Sequence, residues 1–142
     1  MKSEILVWVQ FLSILALGIT SLHHEYPVWV MGIGVAGILI GMWALFAMRS
    51  SVLTVYPEVH SETQLVTSGP YKYIRHPMYL SLLLVGLSLL FIDPVWWRIG
   101  ILLIFVINMF IKIDYEESLL EKHFSMYEQY KKSTAALFPF IY

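Results

Sequence analysis

Gly69-Pro70-Tyr71-Lys72-Tyr73-Ile74-Arg75-His76-Pro77-Met78-Tyr79 is a dense polar and aromatic block set between apolar runs. Gly69-Pro70 marks a turn. His76 precedes a proline, which biases it toward an extended backbone. Pro77 suits the first position of a helix, where a missing N–H costs little. The block therefore closes a polar segment and opens an apolar helix, at the place where a chain that has left a membrane would re-enter it. Polar groups at such a position are costly unless something partners them. The backbone N–H groups of Met78 and Tyr79 are expected to lack helical partners and so to be able to receive an anion.

Working outward, four apolar runs surround the block, at residues 5–22, 28–48, 78–92 and 95–113. A full membrane crossing takes about 20 residues. The third run is short for that, so it is expected to begin at Pro77 and to cross tilted or dip part-way, with Asp93-Pro94 making a tight hairpin to the fourth. The whole chain has 142 residues, 58% hydrophobic and 13% charged, with a mean hydropathy of +0.71. A soluble domain carries about 25% charged residues. The expected fold is all-α and polytopic: about four transmembrane helices plus a C-terminal cytoplasmic helix, in one domain over residues 1–142. Residues 1–55 hold two N-terminal spans and residues 56–142 the functional core. The first run is expected to be a retained span, since one Lys precedes it and no small-residue cleavage pattern precedes Tyr26-Pro27. The net charge of −1 says nothing about a nucleic-acid partner and no basic cluster suggests one, so none is expected; the absence of cysteine excludes disulfides, zinc–thiolate sites and thiol nucleophiles.

Lys2, Arg49, Lys72, Arg75, Lys112, Lys122, Lys131 and Lys132 all fall at one end of the expected spans, whereas Arg98 alone lies near the other. The positive-inside bias then places both termini and the central loop in the cytoplasm. Neither Gly nor Pro occurs from residue 101 to 134, which predicts one long helix leaving the membrane. Along it Asn108, Lys112, Tyr115 and Glu116 share a polar stripe, and polar residues at such depth face protein or a water-filled cavity. Glu116 and Glu117 point about 100° apart, so they are not a shared-proton dyad. Two tempting patterns are set aside. Gly32-Ile33-Gly34-Val35-Ala36-Gly37 has dinucleotide-fingerprint spacing but lies inside an apolar run, where Gly37 and Gly41 suit close helix packing instead. His23-His24-Glu25 lacks a third metal ligand at helical spacing, and His60 and His123 are expected to be solvated.

Taken together, Leu65-Val66-Thr67-Ser68-Gly69-Pro70-Tyr71, Arg75-His76-Pro77-Met78-Tyr79, Glu116-Glu117-x-x-Leu120 and Tyr127-x-x-Tyr130-Lys131-Lys132 with Pro139 resemble the isoprenylcysteine carboxyl methyltransferase family. The wider group includes membrane phospholipid N-methyltransferases. The resemblance covers residues 60–142. It implies an integral-membrane enzyme that uses S-adenosylmethionine, held by Thr63, Gln64, Leu65, Val66, Tyr71, His76, Pro77, Met78, Tyr79 and Glu116. It also implies that Lys112, where the family usually has Arg, serves the acceptor. Lys at this place loses bidentate carboxylate binding. Ser133 and Ala135-Ala136 also depart from the pattern. The implied acceptor is a lipophilic small molecule or lipid, reached from the bilayer. Carboxylate O-methylation is the first expectation and lipid-amine N-methylation the second, with Glu117 the nearest base for an amine; a non-catalytic membrane module is the rival.

Overall fold

A computed structural model describes residues 2–50 and 65–138. Among the described residues there are five α-helices: α1 (Lys2–Ser21), α2 (Val28–Ala47), α3 (Pro77–Ile92), α4 (Trp96–His123) and α5 (Tyr127–Ser133). Of these, α1, α2 and α4 are long and apolar enough to cross a membrane, and α3 is a shorter apolar helix. At 1.5 Å per residue α3 is about 24 Å long, short of the roughly 30 Å hydrocarbon core. The chain is an integral membrane protein of about four spans with a C-terminal helix beyond them.

Pairing follows residue size and polarity. α2 lies along α3 and α1 along α4. The α2–α3 contact rests on small residues: a Cβ at Gly37 would come within 2.9 Å of the Ser81 carbonyl oxygen and 3.0 Å of Leu84 Cβ, and one at Gly41 would meet the Ser81 hydroxyl at 2.5 Å. These glycines bring two helix backbones together, as expected for small residues in a membrane helix. The α1–α4 seam carries polar links instead. Asn108 Nδ2 donates to the Leu6 carbonyl at 2.9 Å and Lys112 Nζ to Gln10 Oε1 at 3.2 Å. The core gathers Leu17, Tyr79, Leu80, Leu90, Leu102, Phe105, Met109 and Ile113. Outward faces are apolar and exposed, with Leu12, Leu39, Leu103, Ile107 and Phe110 each more than half accessible. That is the surface lipid requires.

The two ends of the bundle differ. At one end Arg98 is fully buried and gathers the C-terminal ends of α1 and α3. It donates to Ser21 Oγ, to the Leu89 carbonyl at 2.6 Å and to the Asp93 carbonyl at 3.2 Å. At the other end α4 runs on. Its 28 residues are about 42 Å long, so its last turns project beyond a 30 Å core. The expected unbroken helix to residue 134 is not what forms. α4 stops at His123, Phe124 turns extended (φ −113°, ψ 112°), and α5 begins at Tyr127. Helix propensity is a weak prior, and here docking overrides it: the break folds α5 back over the central block.

Candidate functional site

The central block is built as its residues dictate. Gly69 takes a positive φ of 61°, and Gly69–Lys72 form one 3-10 turn with Pro70 near its start. Residues 74–76 run beside the chain end. Arg75 N–H donates to the Ala135 carbonyl at 2.8 Å, His76 N–H to the Ala136 carbonyl at 3.0 Å, and Ala135 N–H to the Tyr73 carbonyl at 3.2 Å. Pro77 then occupies the first turn of α3. One expectation changes: Tyr79 N–H donates to the His76 carbonyl at 3.1 Å. That amide is therefore spent within the chain and is not open to an anion.

Side chains from two helices, α3 and α4, converge on His76. Its Nε2 lies 3.2 Å from Glu117 Oε1 and its Nδ1 lies 3.8 Å from Glu116 Oε2. The adjacent glutamates point apart, as helix geometry demands, yet they flank one imidazole from opposite ring nitrogens. Tyr79, with its ring centroid 5.6 Å from that of His76, donates its hydroxyl to Glu116 Oε1 at 2.5 Å. Lys112 Nζ lies 5.4 Å from the centre of the Tyr79 ring, and the residue is only 3% exposed. Tyr115, expected on the same stripe, is 37% exposed and turns away, while Glu117 turns in.

Glu117 is the most heavily engaged carboxylate. Arg75 Nε donates to Oε1 at 2.7 Å and Lys131 Nζ lies 2.9 Å from Oε2, in addition to the His76 contact. Hydrogen bonds to Glu117 and Glu121 hold the Lys131 ammonium above its ordinary pKa. Arg75 also donates to the carbonyls of Lys131 (3.1 Å) and Thr134, clamping α5 to the block. The sequence reading had not placed Arg75 or Lys131 at the site. The signal available was two basic groups, one in the block and one near the chain's end, whose charge needed a counterpart.

Next to this cluster is a cavity of about 100 Å³ lined by Met48, Leu65, Val66, Tyr71, Arg75, Leu120, Tyr127 and Tyr130. Of the residues expected to hold a cofactor, Leu65, Val66 and Tyr71 line it. His76, Tyr79 and Glu116 form the adjoining polar cluster, with Pro77 and Met78 at the helix start between. Thr63 and Gln64 lie outside the described residues. Tyr71 donates its hydroxyl to Met48 Sδ at 2.8 Å, and Tyr130 donates to the Tyr71 carbonyl at 2.6 Å. Burial raises the phenol of Tyr71 and pushes that of Tyr130 up to about 12, so both stay protonated at neutral pH.

The chain is 26% identical over 143 residues to the nickel-cobalt-cadmium resistance protein NccN of Alcaligenes xylosoxydans xylosoxydans, covering 97% of this chain and 65% of that one. It is 27% identical over 134 residues to methanethiol S-methyltransferase of Crocosphaera subtropica (strain ATCC 51142 / BH68), covering 92% of this chain and 47% of that one. It thus spans between about half and two thirds of the length of these curated relatives. Residues 29–127, which include α2 from its second residue, α3, α4 and the glutamates flanking His76, match the phospholipid methyltransferase family, and the chain belongs to that family.

Proposed function

We propose that the chain is an S-adenosylmethionine-dependent membrane methyltransferase, with its cofactor side facing the cytoplasm and a lipophilic acceptor reached from the bilayer. The observation that carries this reading is the junction of Glu116, Tyr79 and His76 beside an aromatic-lined cavity. When bound, S-adenosylmethionine supplies a methyl group on a sulfonium, which is a cation carried with an ammonium and a purine. The donor set fits these parts. Glu116 offers a carboxylate to an ammonium. The Tyr71 and Tyr79 faces attract a desolvated cation by about 2 kcal/mol. Leu65 and Val66, with Met48 and Leu120, supply apolar wall.

The acceptor reading follows from the charges. Methyl transfer is in-line displacement, dominated by alignment. Glu117, held by three cationic or donor groups, is a weak proton acceptor. Lys112 is a buried cation next to the Tyr79 ring, within the bilayer half of α4. An acceptor that is already an anion needs no base and suits Lys112, so we assign a carboxylate. The thiol named for the Crocosphaera relative offers the same anionic chemistry once ionised. The family match favours a second reading, a lipid amine, in which Glu117 takes the proton and Lys131 must first release it.

The test is calorimetric titration of detergent-purified protein with S-adenosylmethionine. Micromolar binding is expected, weakened about tenfold or more by Glu116→Gln and by Tyr79→Phe, since a hydrogen bond to a charged group contributes about 1.5–3 kcal/mol. Wild-type protein with no binding heat would favour a non-catalytic module. Given binding, methyl label incorporated into lipid extract in base-labile form marks an ester, and base-stable label marks an amine or thioether.

A further inference from the structure

The α1–α4 seam holds two amides that differ in what they leave open. Asn108 Nδ2 is spent on the Leu6 carbonyl at 2.9 Å, a link that ties the two helices together. Gln10, one turn further along α1 and 7% exposed, turns its oxygen to Lys112 Nζ at 3.2 Å. An ammonium only donates, so this contact fixes the amide with its oxygen toward Lys112 and its NH2 away. Among the described residues that NH2 has no hydrogen-bond partner. Nor is it sealed off: among the described residues, the side-chain atoms that lack both a partner and accessible surface are Arg98 Nε and the Tyr127 hydroxyl. A donor held this deep in an apolar chain calls for a partner.

Lys112 carries three N–H donors and gives one of them to Gln10. The pair therefore presents an ammonium and a neutral amide donor side by side. It lies one helical turn deeper along α4 than Glu116, with Lys112 Nζ 5.4 Å from the centre of the Tyr79 ring. A lysine alone is a point charge and does not grip both oxygens of a carboxylate, as the fork of an arginine does. Donors from two side chains can do so, one for each oxygen. Resting on the methyltransferase reading above, we infer that Gln10 and Lys112 form a two-pronged clamp for the acceptor's carboxylate, with α1 supplying the donor that a lysine lacks. Gln10 is then a specificity-determining residue, favouring a lipophilic acid over a neutral or amine-bearing molecule of the same length. It lies on α1, ahead of the residues 29–127 that match the family, so the acceptor site draws on the first span as well.

The experiment measures binding of radiolabelled dodecanoate, dodecylamine and dodecan-1-ol to the full chain in detergent, at equal mole fractions in the micelle. Wild type is expected to bind dodecanoate at least tenfold more tightly than the other two. Gln10→Met should weaken dodecanoate about tenfold, the loss of one charge-assisted hydrogen bond, and leave dodecan-1-ol unchanged. In a Lys112→Arg background, where the guanidinium fork supplies both donors, the same Gln10→Met change should cost less than twofold. A role confined to packing α1 would cost the same in both backgrounds and on both probes, and that result overturns the clamp. So does a Gln10→Met protein that keeps or gains dodecanoate affinity, or a wild type without the preference. Gln10→Glu is the second variant: it keeps an oxygen for Lys112, so the seam holds, but puts an acceptor where the donor was. It should lose the dodecanoate preference, and retention of that preference also overturns the clamp. S-adenosylmethionine titrated into the same preparations separates the two readings. Cofactor binding without a dodecanoate preference overturns the clamp alone, whereas a dodecanoate preference without cofactor binding overturns the methyltransferase reading.

Discussion

Arg75 and Glu117 form a pair whose side chains are 4% and 10% exposed, 2.7 Å apart. Breaking one partner of such a pair leaves an uncompensated charge, a loss of about 3–5 kcal/mol. Glu117→Ala should therefore lower the detergent melting temperature markedly, and Arg75→Ala should do the same. Glu116→Gln, which removes a charge that is partly exposed and retains a hydrogen-bonding amide, should lower cofactor affinity with little change in melting. This contrast separates two adjacent glutamates by role, and differential scanning fluorimetry with calorimetry on the same preparations checks it. At this scale much was legible. His76, Tyr79 and Glu116 stood out as costly polar groups in an apolar chain, and they do meet. Glu117 was legible as a residue but not in its surroundings, because Arg75 and Lys131 reach it only after the chain folds back across 42 and 14 residues of sequence. Tyr127 was visible only as part of a motif; nothing in local spacing reveals an unpaired hydroxyl.

Among the elements, the apolar runs were readable to within a few residues because hydrocarbon imposes both length and composition. Pro77 at the head of α3 and the Asp93-Pro94 turn followed from proline geometry. The break after His123 was not readable, since no Gly or Pro marks it; its cause is the docking of α5. The α2–α3 seam yields a prediction at this scale. Gly37→Leu must displace Ser81 backbone and Leu84, and overpacking of this kind costs about 1–3 kcal/mol or more. The variant should melt lower and expose α2–α3 to proteolysis, whereas Gly32→Leu, where an added Cβ meets nothing within 4 Å, should behave as wild type. Arg98→Met tests the opposite seam. It removes the donor that gathers Ser21, Leu89 and Asp93. It should lower melting, while the folded fraction keeps its cofactor affinity because the site lies at the far end of α4.

For the whole molecule, the two ends are chemically unlike. One carries Arg98, His24 and Asp93, with Trp29 and Trp96 at the starts of α2 and α4, and the other carries the block, α5 and most of the lysines. The charge bias predicts which end faces the cytoplasm. The chain has no cysteine, so single cysteines at Glu25 and Lys132 are clean reporters. In intact cells an impermeant maleimide should label Glu25→Cys and spare Lys132→Cys until the membrane is opened; the reverse pattern would invert the orientation. The backbone pairing of residues 75 and 76 with 135 and 136 carries a consequence in time. The partner carbonyls are synthesised 60 residues after the amides that need them. At about 5–20 residues per second that is a delay of roughly 3–12 s. Through that interval the membrane helices can already be inserted while the block stands open. The cavity is then the last part of the protein to close, and a nascent chain stalled before residue 127 would hold the His76, Tyr79 and Glu116 cluster but lack the wall that Tyr127 and Tyr130 supply.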